Sequence, residues 1–162
     1  IVVRLLKDPR VDPSAQNSLL FNLASFKGYT DIVRTLLSDE RVDPSARDNQ
    51  AIIDASHFGY TEIVQMLLND ARVDPSAQNN AALIPAVSKG HTDVVRLLLK
   101  DHRVDPSFRR SRALIEAAYY GHTDIAEMLL KDPRVDPSAK NNSALTFATR
   151  NHHIEIVRML LN

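Results

Sequence analysis

The chain has 162 residues, 44% of them hydrophobic, and its 20 lysines and arginines are balanced by 20 aspartates and glutamates. A balanced charge gives no overall attraction to nucleic acid or an anionic membrane, and no apolar run approaches the roughly 20 residues of a membrane span. Because cysteine is absent, disulfides and thiolate zinc sites are excluded, and we expect an intracellular, cytoplasmic location.

A five-residue string recurs along the chain at a fixed interval. Arg-Val-Asp-Pro-Ser begins at Arg10 and returns every 31 residues, up to Arg134. Self-similarity with a period of about 20–50 residues is typical of solenoid proteins. The sequence therefore predicts one array that belongs to a longer chain. Its units are a partial repeat at 1–9 and five repeats at 10–40, 41–71, 72–102, 103–133 and 134–162.

Each period contains two helical patterns, and the second is the clearer one. In the third repeat, Val94, Val95, Leu98 and Leu99 fall on one face of a helix with 3.6 residues per turn. Thr92 precedes this apolar face and is a candidate N-cap. The spacing recurs in the other repeats, which predicts a second helix in each of them.

The first helical pattern is shorter and contains small residues. An alanine recurs at its centre, and its small side chain lets neighbouring helices approach closely. A polar residue precedes the pattern in every copy and is a candidate N-cap. The alanines are Ala24, Ala55, Ala86, Ala117 and Ala148, and the candidate caps are Ser18, Asn49, Asn80, Ser111 and Asn142.

A glycine follows the first helix in four repeats, with His152 at that position in the fifth. Glycine adopts the left-handed conformation cheaply, so it is expected to end the helix. Pro85 falls inside the first helix of the third repeat, where it removes a backbone hydrogen bond and is expected to bend the helix. The Asp-Pro-Ser segment is predicted to form an Asx-type turn.

The repeated unit resembles the ankyrin repeat. The segments Ala82-Leu83-Ile84-Pro85-Ala86, Gly90-His91 and Val94-Val95-x-x-Leu98-Leu99 are similar to the family's motifs, and the resemblance covers essentially the whole chain. It implies an all-α, ankyrin-type solenoid of stacked helix–turn–helix repeats. The period here is 31 residues rather than about 33, and the Thr-Pro-Leu-His motif is altered. We therefore expect short connecting finger loops without regular β-pairing.

Positions that differ between repeats indicate where a partner could bind. The two positions before the glycine resemble the concave-face positions through which ankyrin proteins usually bind partners, and they hold several aromatic residues. Tyrosine and arginine are enriched at binding hot spots. The alternative is that the aromatic residues pack against neighbouring helices. The candidate partner-binding residues are Phe26, Lys27, His57, Phe58, Lys89, Arg112, Tyr119, Tyr120 and Arg150.

The fourth repeat carries a basic segment that the other repeats lack. Arg109, Arg110 and Arg112 precede Tyr119 and Tyr120 in the same first helix. Arginines beside aromatic residues suit an acidic peptide, a phosphate or nucleic acid. Nucleic acid is disfavoured because the rest of the chain is not basic. A solvated basic loop is the remaining interpretation.

No cofactor, metal or catalytic group is predicted. His91, His122 and His153 share a column with Tyr29 and Tyr60, so that column is interpreted as structural, with a turn-stabilising hydrogen bond rather than a metal ligand. No nucleophile–base pair, recurrent carboxylate pair or phosphate loop is present, which argues against an enzyme. The Arg and Asp of each Arg-Val-Asp are expected to form charge ladders along the stack.

The favoured function is a protein–protein interaction scaffold that binds a partner protein or peptide on the concave face of the first helices. The alternative is a structural array that associates end to end into rods or filaments. That alternative is based on apolar residues such as Leu160 and Leu161 at the end of the array, where a polar capping surface would be expected. Membrane insertion is not expected.

Overall fold

A computed structural model describes Asp8 and residues 10–162, apart from the side chain of Asn17. The partial repeat expected at 1–9 lies almost entirely outside these residues. In the described part, helices are the only regular secondary structure, and a first and a second helix alternate along the chain. They are α1 Ala15–Lys27, α2 Thr30–Leu37, α3 Ala46–Phe58, α4 Thr61–Leu68, α5 Ala77–Asn80, α6 Leu83–Ser88, α7 Thr92–Lys100, α8 Phe108–Tyr120, α9 Thr123–Leu130, α10 Ala139–Arg150 and α11 Ile154–Leu161.

The first helices form one layer and the second helices form another. One continuous core lies between the two layers and between neighbouring helices of each layer. First helices pack on first helices, second helices pack on second helices, and each pair packs within its own repeat. Ala55, Ala86 and Ala117 are fully buried, so the first helices approach closely. Val95 and Leu98 of α7 are also fully buried, as their spacing predicts. The all-α solenoid expected from the sequence is confirmed.

A left-handed turn begins each first helix. In α3 the torsion angles of Arg47, Asp48 and Asn49 all lie near φ 60° and ψ 40°, and right-handed helix follows from Gln50. Residues 109–111 in α8 and 140–142 in α10 repeat this conformation. Such torsion angles cost side-chain-bearing residues about 1–3 kcal/mol each, with Asn and Asp the most tolerant. The turn stands where an ankyrin finger hairpin is expected, and it explains why the finger is short.

The polar residue at the end of this turn does not cap its own helix. The Oδ1 of Asn49 accepts a hydrogen bond from the backbone N–H of Asp74 in the next repeat, at 2.7 Å. The prediction that these residues are N-caps is therefore wrong, because the left-handed turn directs their side chains toward the following repeat. The equivalent bonds are Ser18 to Asp43, Asn80 to Asp105 and Ser111 to Asp136.

Thr92 is also not an N-cap, because α7 begins at Thr92 itself and His91 holds the N-cap position. The Thr92 hydroxyl instead lies 3.5 Å from the Gly90 carbonyl oxygen, to which it donates. Pro85 has no N–H and so removes one backbone hydrogen bond, as expected. Ala81 and Ala82 keep right-handed helical torsion angles, so the expected bend stays a prediction. The missing hydrogen bond separates α5 from the six-residue α6, whereas the equivalent segments of the second and fourth repeats are single elements, α3 and α8, that include the left-handed turn.

An aspartate–arginine pair closes the link between repeats. Arg72 donates from Nε and Nη2 to the two carboxylate oxygens of Asp70, at 2.9 and 2.6 Å, and from Nη1 to the carbonyl oxygen of Val42 in the preceding repeat. The direct partner is the aspartate two residues before the arginine. The arginine also interacts electrostatically with the Arg-Val-Asp aspartate of the preceding repeat, as Arg72 does with Asp43, so the expected charge ladder is present as well. The aspartate after the arginine forms the predicted turn, in which Asp74 Oδ1 accepts from the N–H and hydroxyl of Ser76. The same pairing joins Asp39 to Arg41, Asp101 to Arg103 and Asp132 to Arg134.

Each helix-ending glycine is covered by an aromatic ring of the next repeat. Gly59 has a φ of 76°, and a Cβ added there would lie 2.6 Å from the His91 ring. The Nε2 of His91 also donates to the carbonyl oxygen of His57, at 3.1 Å. The hydrogen bond predicted for the histidine column is confirmed, and it joins two repeats. His122 and His153 form equivalent bonds, and Gly28, Gly90 and Gly121 are covered in the same way.

We expect opposite effects from substitutions in this glycine column. Gly59→Ala should reduce the free energy of unfolding by about 1–2 kcal/mol through its backbone alone, and by more because of the His91 ring. His152 has a φ of 60° at the equivalent position, so His152→Gly should raise stability by about 0.5–1 kcal/mol. Urea denaturation followed by circular dichroism measures both changes. A loss of stability in His152→Gly would contradict this account.

The aspartate–arginine pairs predict a dependence of stability on pH. The guanidinium of Arg72 holds the pKa of Asp70 below its usual value, and Asp101 and Asp132 are affected in the same way. The unfolded chain therefore takes up protons first, so this stabilisation is complete above about pH 4 and is lost as the pH falls through the folded pKa values. Denaturation midpoints between pH 7 and 2.5 should decline less steeply for a chain carrying Asp70→Asn, Asp101→Asn and Asp132→Asn. Parallel pH profiles for the two chains would contradict the assignment.

Candidate functional site

Eight of the nine predicted partner-binding residues lie at the C-terminal ends of the first helices. Phe26 and Lys27 end α1, His57 and Phe58 end α3, Tyr119 and Tyr120 end α8, and Arg150 ends α10. Lys89 follows α6, whereas Arg112 lies near the beginning of the right-handed part of α8. All of these side chains are exposed except those of His57 and Arg112, which are half-buried.

Four rings form a cluster at the first and second repeats, which we call the N-terminal aromatic cluster (Phe26, His57, Phe58 and Tyr60). The Phe58 ring lies edge-on to Phe26 at 5.0 Å and to His57 at 4.7 Å, and it stacks on Tyr60 at 5.9 Å. Phe26 and Phe58 are each 40% exposed. The rings therefore support one another and still present apolar surface to a partner.

A second group of rings occupies the fourth and fifth repeats, which we call the C-terminal aromatic cluster (Tyr119, Tyr120, His122 and Phe147). Tyr119 lies edge-on to Tyr120 at 4.8 Å and to Phe147 at 5.4 Å, while Tyr120 stacks on His122 at 6.0 Å. Tyr119 and Tyr120 are 45% and 49% exposed. At the third repeat, between the two clusters, the corresponding residues are Ser88 and Lys89.

Two adjacent recesses lie beside the C-terminal aromatic cluster, and we call them together the Arg112 cleft because Arg112 lines both. The larger recess, of about 530 Å³, lies between the fourth and fifth repeats. The smaller recess, of about 290 Å³, lies between the third and fourth repeats. Apolar residues of the larger one include Ile115, Tyr119, Tyr120 and Phe147, and those of the smaller one are Ala81, Ile84, Pro85 and Phe108.

Positive charge predominates in the Arg112 cleft. Arg109 lines the smaller recess and Lys140 the larger one, and both side chains are exposed. Glu116 is the acidic residue of the cleft, and its Oε1 accepts from Nε of Arg112 at 2.6 Å. Its Oε2 accepts from the hydroxyl of Ser88 at 3.3 Å. Arg112 thus neutralises Glu116, while Arg109 and Lys140 leave the cleft positive.

Some residues of the cleft were not among the predicted partner-binding residues. Glu116 lies four residues after Arg112, and Phe147 lies four residues after Ser143, which is equivalent to Arg112 in the fifth repeat. Residues four apart share a helix face, so this placement could be read from the sequence. Lys140 and Arg109 occupy equivalent positions of the left-handed turn. The geometry of that turn brings them to the cleft, and no sequence pattern indicates that conformation for Arg or Lys.

The stacked helix pairs and their inter-repeat links define an all-α repeat protein. Comparison with protein families identifies which one. The chain matches the family described as "Ankyrin repeats (3 copies)" over residues 20–110, 52–141 and 83–162. The chain therefore belongs to the ankyrin repeat family. A search among curated proteins returned no match.

Membership of this family has consequences for function. Ankyrin repeats are generally protein–protein interaction modules, and proteins built from them are typically non-enzymatic scaffolds. Among the described residues, no group of three or more His, Asp or Glu side chains is arranged to hold a metal ion. None of the described helices has the length and apolar character needed to cross a membrane.

Partner binding and core packing are the two roles considered for the tyrosine pair, and they predict different losses of stability when the pair is replaced. Because Tyr119 and Tyr120 are nearly half exposed, replacing both with Ala should cost less stability than Leu98→Ala, which should cost about 2–5 kcal/mol because Leu98 is fully buried. Urea denaturation of the three chains measures the difference. An equal loss in the tyrosine variant would show that the rings serve the core.

Proposed function

We propose that the chain is a scaffold that binds a partner protein or peptide on the concave face formed by its first helices. The observation that carries the proposal is the pair of aromatic clusters, in which four rings contact other rings and remain 40–49% exposed: Phe26, Phe58, Tyr119 and Tyr120. The proposed binding residues are the nine predicted from the sequence, together with Phe147 of the C-terminal aromatic cluster.

The clusters are suited to binding for an energetic reason. Ring–ring contacts and helix backbones already restrict the aromatic side chains before a partner arrives, so little conformational entropy is lost on binding. Burying exposed aromatic surface then contributes favourably, and aromatic residues are enriched in interface cores. Lys27, whose Nζ lies 5.4 Å from the Phe26 ring centre, and Arg150 add charge at the edges of the two clusters. Such charges favour partner orientation and association rate more than affinity.

Other repeats supply well-tolerated substitutions to test the scaffold. The aromatic variant combines Phe58→Asn, Tyr119→Ser and Tyr120→Asn. Each new residue already occurs at the equivalent position of another repeat, as Asn151 or as Ser88. The matched control changes Gln65, Arg96 and Glu127 to Ala, since these exposed residues share a varying column on the second helices. Affinity capture from cell extract with mass spectrometry should recover one set of proteins with the original and control chains and lose it with the aromatic variant. Equal recovery with all three chains would contradict the proposed face.

Exposed apolar residues favour end-to-end association as a second candidate. Leu20 and Tyr29 near one end, and Ile154 and Leu161 near the other, are each more than half exposed. However, a repeat stacked in the usual register would place a ring against the Cβ of His152. Sedimentation velocity over a wide concentration range tests this candidate. Growth in mass that Leu161→Asp abolishes would support it, and a constant mass would exclude it.

A further inference from the structure

We propose that the Arg112 cleft binds an extended acidic segment of a partner, with two apolar side chains three residues apart seated in its two recesses. This inference rests on the proposed scaffold function and adds the chemistry of the ligand. It is based on three properties of the cleft, namely the two recesses, their separation and the charge around them.

Each recess combines polar residues with apolar surface, and the apolar surface can accept an apolar side chain. The smaller recess is lined by Ile84, Pro85 and Phe108 among others. Phe108 is specific to this place, because the equivalent residue in every other repeat is alanine. In the larger recess, Tyr119 and Phe147 supply the apolar surface. Both recesses, of about 530 and 290 Å³, have room for one side chain of leucine or phenylalanine size.

The separation of the recesses sets the spacing of the two apolar side chains. The two recesses lie on opposite sides of α8, between successive pairs of packed helices, so we take their separation as one helix-packing distance, about 10 Å. An extended chain advances about 3.3 Å per residue, so side chains three residues apart match this distance. A helical ligand would need about seven residues to cover the same distance.

The charge around the recesses selects an acidic ligand. Arg109 stands at the smaller recess and Lys140 at the larger one. Glu116, the acidic residue of the cleft, is already paired with Arg112 and bonded to Ser88. Carboxylates placed between and beside the two apolar side chains would therefore meet positive charge, which strengthens association at low salt.

The ligand can be identified by selection from a phage-displayed library of random peptides about twelve residues long, with the complete chain immobilised. We expect the selected peptides to share two apolar residues three positions apart, with Asp or Glu between or beside them. A dye-labelled copy of the most enriched peptide then serves as the probe in fluorescence anisotropy. Its affinity should fall as salt is raised from about 50 to 500 mM.

Repeat-derived variants locate the peptide on the chain. The double variant Arg109→Gln, Lys140→Gln places glutamine at both turn positions, as the third repeat does with Gln78. It should weaken binding about tenfold. Phe108→Ala restores the residue common to the other repeats and should weaken binding about fivefold or more. Arg47→Gln is the matched control, because Arg47 occupies the same turn position two repeats away and should leave binding unchanged.

Several outcomes would overturn the inference. Selected peptides without the acidic residues or without the apolar pair would do so, as would tighter binding of a single-stranded oligonucleotide that displaces the probe. Peptides that lose affinity with Phe58→Asn and not with Phe108→Ala would place binding at the N-terminal aromatic cluster. In that case the inference fails and the scaffold function stands. Selection of no peptide also overturns the inference, and the capture experiment then decides the scaffold function separately.

Discussion

An aromatic ring packed against a glycine joins each repeat to the one before it. Because the Gly59 backbone is left-handed and lacks a Cβ, the His91 ring can lie directly on it and still donate to the His57 carbonyl. Two further bonds strengthen each junction, one from an arginine to a valine carbonyl and one from a backbone N–H to a turn side chain. Together they fix the register in which the first helices stack, and hence the positions of the aromatic clusters and of the Arg112 cleft.

The same junctions explain which residues can vary. Positions that face a neighbouring repeat keep one chemistry, as in the buried alanine column and the aspartate–arginine pairs. Positions just before the glycine touch solvent and other rings, so they hold Phe, His, Ser, Tyr or Arg without disturbing the stack. The residues that hold the stack together and the residues that vary thereby lie on separate faces of the same short helix, and this separation permits different surface chemistry at different repeats.

Much of the fold could be predicted from the sequence, because repetition places equivalent residues in aligned columns. The two helices, the helix-ending glycine and the Asp-Pro-Ser turn all follow from such columns. The left-handed turn could not be predicted, since Arg47 and Arg109 are poor indicators of that conformation. Asn49 therefore resembled a helix cap although it bonds to the next repeat. Five of the nine predicted site residues belong to the two aromatic clusters, whereas Lys140 reaches the cleft only through the turn.

Each inter-repeat bond joins a repeat only to its immediate neighbours, so the length of the array increases by one fixed increment for each repeat. Inserting or deleting one whole 31-residue unit between the two clusters would preserve every type of junction. It would also change the distance between the clusters by about 10 Å without altering either of them. Duplication of a repeat within the gene would thus adjust the distance between the two aromatic clusters in fixed steps, and any molecule that contacts both clusters would have to match the number of repeats between them.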